Sequence, residues 1–186
     1  MRIISGNFKG KKIFIPSDNN TRPLRDMVKE SIFNLLQHSN KINLDIKDSN
    51  ILDLFSGTGS FGLECISRGS KSVIFMENYD KILKILRKNI EKLGINANCR
   101  IIKNDCFKFF NTKKDFKDKF DIIFMDPPFR EKKINIILEK IKENKILAKN
   151  GILLIHRHKK DDVKITNKIQ IIDQRIYGIS KIVIAS

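Results

Sequence analysis

Between residues 50 and 125 the chain repeats one unit: an apolar run of strand length, a turn marked by an acid or a glycine, and a segment with helical spacing. The runs are residues 50–55, 72–77, 99–103 and 120–125. They carry apolar residues on consecutive positions, so both faces of each strand must be buried. Such strands alternating with helices predict a parallel sheet covered by helices on both sides. The helix after the second run places Ile82, Leu83, Ile85, Leu86, Ile90 and Leu93 on one side and closes at Gly94. Another helix, around residues 134–146, leads to a strand at 151–155. The closing β-rich runs, 168–172 and 181–185, have no helix-length segment between them. A hairpin there places one antiparallel strand in an otherwise parallel sheet. Ahead of the repeat, residues 2–4 and 12–15 read as a short extended pair around the Gly6–Gly10 turn. A helix with Leu24, Val28, Ile32, Leu35 and Leu36 on one face follows.

With 186 residues the chain fits one domain, a basic hairpin over 1–20 followed by a catalytic core over 21–186. No apolar run approaches the roughly 20 residues of a membrane helix, and the first residues lack a secretory stretch. A soluble, cytoplasmic protein is expected. Cys65, Cys99 and Cys106 form no CxxC pair and no zinc spacing, so buried free thiols and no metal are expected. The formal charge of +16 favours a polyanion, because each phosphate neutralised releases counterions. A sequence this rich in Lys, Asn and Ile also fits an AT-rich genome, so charge alone does not decide the partner.

In open α/β sheets the ligand sits beyond the carboxyl ends of the strands. The first strand ends in Asp53, Phe55, Gly57, Gly59 and Gly62, where glycines let a backbone approach a ligand closely. The G-x-G-x-x-G pattern by itself is weak evidence for a cofactor loop. The second strand ends at Glu77 and Asn78, where an acid can take ribose hydroxyls, and the third runs into Asp105 and Cys106, which can address an adenine edge. A dinucleotide carries a pyrophosphate and wants neutral or positive surroundings. S-adenosylmethionine carries a sulfonium and an ammonium, and suits a mouth lined with acids.

The fourth strand ends in Asp126-Pro127-Pro128-Phe129. Prolines remove N–H donors and leave carbonyls facing outward. A carboxylate and a proline carbonyl can together accept both hydrogens of an exocyclic amine. That favours a pyramidal nitrogen whose lone pair points at a sulfonium methyl, so the reaction needs orientation and electrostatics only. Phe129 offers a flat face on which a base can stack. Methylation at a pyrimidine carbon needs a cysteine nucleophile, and none is near.

Several stretches together resemble the RsmD family of bacterial ribosomal RNA guanine-N2 methyltransferases. They are the opening residues 1–12, Thr21-Arg22-Pro23 with residues 26–35, the loop at 52–64 with Ser67-Arg68-Gly69, Asp126 to Phe129, and Tyr177-Gly178. The resemblance spans nearly the whole length. It implies a Rossmann-like class I S-adenosylmethionine-dependent methyltransferase fold with a seven-stranded, mostly parallel sheet and an N-terminal β-hairpin. It further implies methylation of N2 of one guanine, position 966 in the usual numbering of 16S rRNA, by a monomer acting on the assembled or assembling small ribosomal subunit. Arg2, Lys9, Lys11 and Lys12, with Arg25 and Arg130, would then contact RNA. Arg22 would bind the cofactor carboxylate, an RNA phosphate or a structural partner. His156 and His158 stand where relatives commonly carry a carboxylate, and read as a basic RNA-facing or structural pair.

Three other functions compete. A DNA adenine-N6 or cytosine-N4 methyltransferase uses the same loop logic but usually carries a separate target-recognition region. An NAD-dependent oxidoreductase would use the glycine loop and leaves Asp126 to Phe129 unexplained. A non-catalytic RNA-binding module would have no use for the acids at the strand ends.

Overall fold

Seven strands form one sheet in the order β3-β2-β1-β4-β5-β7-β6. They are β1 (Asn50–Leu54), β2 (Ser72–Glu77), β3 (Cys99–Lys103), β4 (Phe120–Met125), β5 (Leu147–His158), β6 (Ile171–Tyr177) and β7 (Ser180–Ala185). This computed structural model describes residues 1–17, 24–112, 116, 118–161 and 164–186. β1 pairs in parallel with β2 and β4, β2 with β3, and β4 with β5, while β7 runs antiparallel to both β5 and β6. The expected closing hairpin is therefore present. The order reverses between β1 and β4, which opens a crevice at their carboxyl ends.

The two faces bury alternate side chains of the same strands. Ile51, Phe75, Ile122, Phe124, Ile152 and Leu154 pack with α1 (Asp26–His38), α2 (Ser60–Ser67) and α3 (Asp80–Leu93). Leu52, Leu54, Met76, Ile123, Met125 and Leu153 pack with α4 (Cys106–Asn111) and α5 (Ile134–Glu143). α5 is rich in β-branched isoleucine, which weakly disfavours a helix, by a few tenths of a kcal/mol each. Burying Ile134, Ile137, Leu138 and Ile141 on one stripe contributes about 1.5–3 kcal/mol per side chain, so packing wins. Phe61 of α2 stacks between Phe33 of α1 and Phe124 of β4, at centroid distances of 5.3 and 4.1 Å.

The N-terminal segment forms the expected hairpin in short form. Arg2 and Lys12 make an antiparallel bridge, Ile3 N–H donates to Lys11 O (2.9 Å) and Ile13 N–H to Met1 O (3.3 Å). Further backbone donors of the segment go to α2. Glu64 accepts from the N–H groups of Ile4 (2.8 Å) and Ser5 (2.9 Å), and Ser67 Oγ accepts from Phe8 N–H (2.9 Å). Gly6 has φ +79°, and a Cβ there would lie 1.8 Å from the Ser67 carbonyl oxygen. The close approach of segment to helix thus requires glycine at this position. Buried Lys29 donates to Arg2 O (2.7 Å) and pairs with Glu64 at 3.5 Å; burial lowers its pKa.

Three boundaries differ from the expected ones. β6 starts at Ile171 rather than 168, because Gln170 and Ser186 exchange backbone hydrogen bonds and the ladder runs on through Asp173 and Arg175. As an outer strand of the sheet it needs no continuous apolar run. β5 begins at Leu147, four residues before the apolar core of the run. The turn at Asp105 opens a short helix, α4, which the sequence reading leaves as loop. Thr21, Arg22 and Pro23 lie outside the described residues.

Candidate functional site

A cleft of about 960 Å³ opens at the carboxyl ends of β1, β2 and β4. Its lining includes Asp53, Phe55, Gly57, Glu77 and Asn78 on one side and Asp126, Pro127, Pro128, Phe129 and Arg130 on the other, with Arg25 at α1. These eleven predicted positions therefore meet in one place. Gly59, Asp105 and Cys106 do not line it.

On the first side, carboxylates organise the backbone. Asp53 is 1% exposed, and its Oδ2 accepts from Gly62 N–H at 3.0 Å. Its Oδ1 has no hydrogen-bond partner among the described residues, and neither does the buried hydroxyl of Ser60, also in the lining. Burial drives the Asp53 carboxyl well above its ordinary pKa, and the charges of Asp126 and Glu77 add to the rise. Glu77 Oε2 accepts from Gly57 N–H (2.9 Å), and its Oε1 accepts from the N–H groups of Asn78 (2.9 Å) and Tyr79 (3.0 Å). A carboxylate has about four lone-pair sites, so Glu77 keeps capacity for a ligand hydroxyl. The turn between them is strained: Phe55 has φ +56°, unusual for a side chain of that size. Gly59 has φ +83° and caps α2. Asp105 caps α4 by accepting from Lys108 N–H at 3.0 Å, and its other oxygen accepts from the Asn78 amide at 3.1 Å. Its role is to hold Asn78 and the loop after β3.

On the second side, the following strand holds the loop. Arg157 of β5 is 2% exposed and donates to the carbonyls of Pro128 (3.3 Å), Phe129 (3.2 Å) and Glu131 (2.6 Å). It also forms an ion pair with Asp161. Pro127 O receives no hydrogen bond among the described residues. His156 Nδ1 lies 2.8 Å from Asp126 Oδ1, and its Nε2 lies 2.8 Å from Ser180 Oγ. His156 is buried and hydrogen-bonded, while His158 stays half-buried against Phe129; both rings meet Phe129 edge-on, at 5.5 and 5.3 Å. His156 is thus a structural partner of the loop rather than an RNA-facing cation.

The remaining predicted cations lie elsewhere. Arg2, Lys9, Lys11 and Lys12 are exposed on the N-terminal segment, with the Lys11 ammonium 4.9 Å from the Phe8 ring centre. That segment connects to the cleft through Asn89 of α3. Its Oδ1 accepts from Phe14 N–H (2.7 Å), and its amide donates to Phe14 O and to Thr58 O (both 3.1 Å). A buried asparagine among Leu86, Ile90 and Leu93 is a polar residue on an apolar helix face, a signal that could have singled it out. Ser180 carries no such signal. Cys65 and Cys106 are buried and Cys99 half-buried; burial raises all three thiols, Cys99 to about 12. Among the described residues no group of three or more His, Cys, Asp and Glu is placed to hold a metal.

The donor set fits a cationic, phosphate-free ligand. The β1 and β2 side offers an unpartnered buried carboxylate oxygen and a half-used glutamate, and among the described residues no cation of these strand ends lines the cleft. A pyrophosphate would meet these acids unfavourably.

The family model described as conserved hypothetical protein 95 matches residues 1–186. Ribosomal RNA small subunit methyltransferase D of Buchnera aphidicola subsp. Acyrthosiphon pisum is 34% identical over 179 residues, covering 90% of this chain and 89% of that protein. The protein of the same name from Escherichia coli strain K12 is 30% identical, over 83% and 73% of the two chains. Among solved structures, the Escherichia coli protein yhhF superposes with a TM-score of 0.83 at 24% identity, covering 100% of this chain and 96% of that one. A ribosomal protein L11 methylase from Lactobacillus delbrueckii subsp. bulgaricus shares the fold at a TM-score of 0.62 and 18% identity, over 84% and 76%. The seven-stranded sheet is thus a Rossmann-like methyltransferase fold, and the chain belongs to the conserved hypothetical protein 95 family, the RsmD family that its motifs resemble.

Proposed function

We propose that this protein transfers a methyl group from S-adenosylmethionine to N2 of a single guanine of 16S rRNA, position 966 in the usual numbering, within the small ribosomal subunit. The observation that carries the reading is the pairing, in one cleft, of an acid-lined wall with a loop that presents two bare acceptors. When bound, the cofactor supplies an electrophilic sulfonium methyl. Asp53 and Glu77 would hold its cationic and ribose portions, with Asn78, Phe55, Gly57 and Gly59 shaping the pocket and Asp105 and Cys106 supporting it from behind. Whether Arg22 joins this set or the RNA contacts is part of the proposal to be tested.

Asp126 has one oxygen engaged by His156, which leaves Oδ2 for the substrate. Pro127 O is the second acceptor. Together they match the two hydrogens of an exocyclic amine and aim its lone pair, the orientation that amide-like base amines lack in solution. Once nitrogen has gained a fourth substituent it must lose a proton, and Asp126 Oδ2 is the acceptor in reach. Phe129, held edge-on by the two histidines, would stack on the base. Arg25 and Arg130 at the cleft, and Arg2, Lys9, Lys11 and Lys12 on the N-terminal segment, would meet phosphates. The relatives named ribosomal RNA small subunit methyltransferase D support an rRNA substrate. No described helix is long and apolar enough to cross a membrane. The reading includes a monomer that works on ribosomal subunits in the cytoplasm.

The test is to incubate the protein with labelled S-adenosylmethionine and small subunits from cells lacking the modification, then map the product by nuclease digestion and mass spectrometry. N2-methylguanosine at one position is expected. Label in duplex DNA instead of RNA would transfer the reading to a DNA amine methyltransferase.

A further inference from the structure

The residues so far assigned to chemistry end at the loop after β4, yet the most constrained side chain beside that loop belongs to β5. His156 sits one residue beyond Ile155, the partner of Met125, so the register of two central strands delivers its ring to Asp126. Both ring nitrogens are engaged at 2.8 Å, by Asp126 Oδ1 and Ser180 Oγ, and the ring is 4% exposed. Phe129 closes one edge. Nothing in the packing requires a polar group here: the neighbouring β5 positions, Leu153 to Ile155, are fully apolar. A buried imidazole satisfied at both ends, directly after the apolar run Ile152 to Ile155, has a function beyond filling space.

The direction of the chain follows from its members. A carboxylate has no hydrogen to give, so Nδ1 is the donor to Asp126, and Nε2 is tied to the Ser180 hydroxyl, which can donate or accept. The same three residue types build acyl-transfer triads, but here the order of exposure is reversed. All three line the cleft, but Ser180 is 1% exposed and the Asp126 side chain 19%. The serine is the anchor and the aspartate is the working end.

Left to itself, the Asp126 carboxyl would turn about a soft terminal torsion. A donor fixed on Oδ1 from behind removes that freedom. We infer that His156, with its ring set by Ser180, is a positioning residue that locks Asp126 so that Oδ2 alone, paired with Pro127 O, faces the substrate amine. Arg157 performs the matching task on the backbone of the same loop, so adjacent residues of one strand fix the side-chain acceptor and the carbonyls around it. This inference rests on the methyl-transfer reading above and adds who aims the acceptor.

The experiment compares the parent with His156→Phe, His156→Asn and Ser180→Ala in single-turnover methyl transfer to undermodified small subunits, with calorimetry of S-adenosylhomocysteine and thermal melts alongside. His156→Phe keeps the ring volume and loses the donor. Its turnover should fall about 10- to 100-fold, the range for a misplaced reacting group. KM for subunits and affinity for S-adenosylhomocysteine should stay within about twofold. His156→Asn can place an amide N–H where Nδ1 stood, and should recover most of the loss. Ser180→Ala should cost a few-fold. If His156→Phe does not fold, the asparagine and alanine variants carry the test: a few-fold loss in Ser180→Ala with near-parent turnover in His156→Asn supports the chain from Ser180 through Nδ1 to Asp126, whereas parent-like turnover in Ser180→Ala, or a defect in His156→Asn that raises KM and leaves kcat unchanged, overturns the positioning role. Parent-like turnover of a folded His156→Phe overturns it outright. An inactive parent would overturn the methyl-transfer reading and this inference together, an outcome distinct from an active parent with indifferent variants.

Discussion

The two walls of the cleft are built on opposite plans. On the β1–β2 side, carboxylates reach back to order the backbone: Asp53 holds Gly62, Glu77 holds Gly57, Asn78 and Tyr79, and Asp105 holds the start of α4. On the β4 side the carboxylate is itself held, by His156, while Arg157 gathers the loop carbonyls. The first wall keeps spare acceptor capacity toward a ligand that brings its own positive charge. The second wall spends its donors behind the loop and leaves acceptors in front, which suits a neutral amine with two hydrogens. The difference assigns one reactant to each wall.

Substitutions should separate the walls. Asp126→Ala is expected to have the largest effect, a loss of turnover of about a thousandfold or more. Affinity for S-adenosylhomocysteine should stay near the parent value in the same preparation. Near-normal turnover would remove the second wall from the chemistry. Next in size is Arg157→Ala, which removes the buried ion pair with Asp161 and the guanidinium donors to three loop carbonyls. Breaking a buried pair typically costs about 3–5 kcal/mol, so the midpoint of chemical denaturation should fall sharply. Glu77→Ala should weaken S-adenosylhomocysteine binding about tenfold or more by calorimetry, with kcat at saturation changed far less. A fall in kcat alone would merge the two walls into one.

The smallest effect has the opposite sign. Asp53 is buried with an unpartnered oxygen and a raised pKa, so its ionised form opposes folding. A group with a raised folded pKa contributes stability below its unfolded value, and that contribution is lost as pH rises through the folded value. Asp53→Asn keeps an acceptor for Gly62 N–H and removes the titration. In the absence of ligand its Tm should match the parent in acid, below the ordinary aspartate value of about 4, and exceed it by a few degrees at neutral pH. Its affinity for the cofactor should drop. A lower Tm at neutral pH would mean that the carboxylate is needed by the fold rather than by the ligand.

Much of the first wall was legible in the sequence. Consecutive apolar residues bounded by acids located β1 to β4, and the acids at strand ends Asp53, Glu77 and Asp126 do line one cleft. The logic is local, because strand direction and switch point dictate where a strand end must go. The second wall was only half legible. Asp126 to Phe129 stood out, but the groups that hold the loop come from positions 26 to 30 residues further on, and only strand register brings them back. His156 was visible as an odd residue without a partner, and Ser180 was not visible at all. The N-terminal hairpin was legible in the strand composition of residues 2–4 and 12–15 and is present as a short antiparallel pair. Its anchoring on Glu64 and Ser67 of α2 was not legible, because periodicity does not encode it.

The central claim, one reactant per wall, is tested most directly by a crystal structure with S-adenosylhomocysteine bound. The account predicts the ligand against Asp53, Glu77 and Asn78, with its sulfur directed toward Asp126 and with Asp126 Oδ2 and Pro127 O left uncovered. A ligand that lay over the Asp126–Phe129 loop, or that bound away from the acids of β1 and β2, would contradict it.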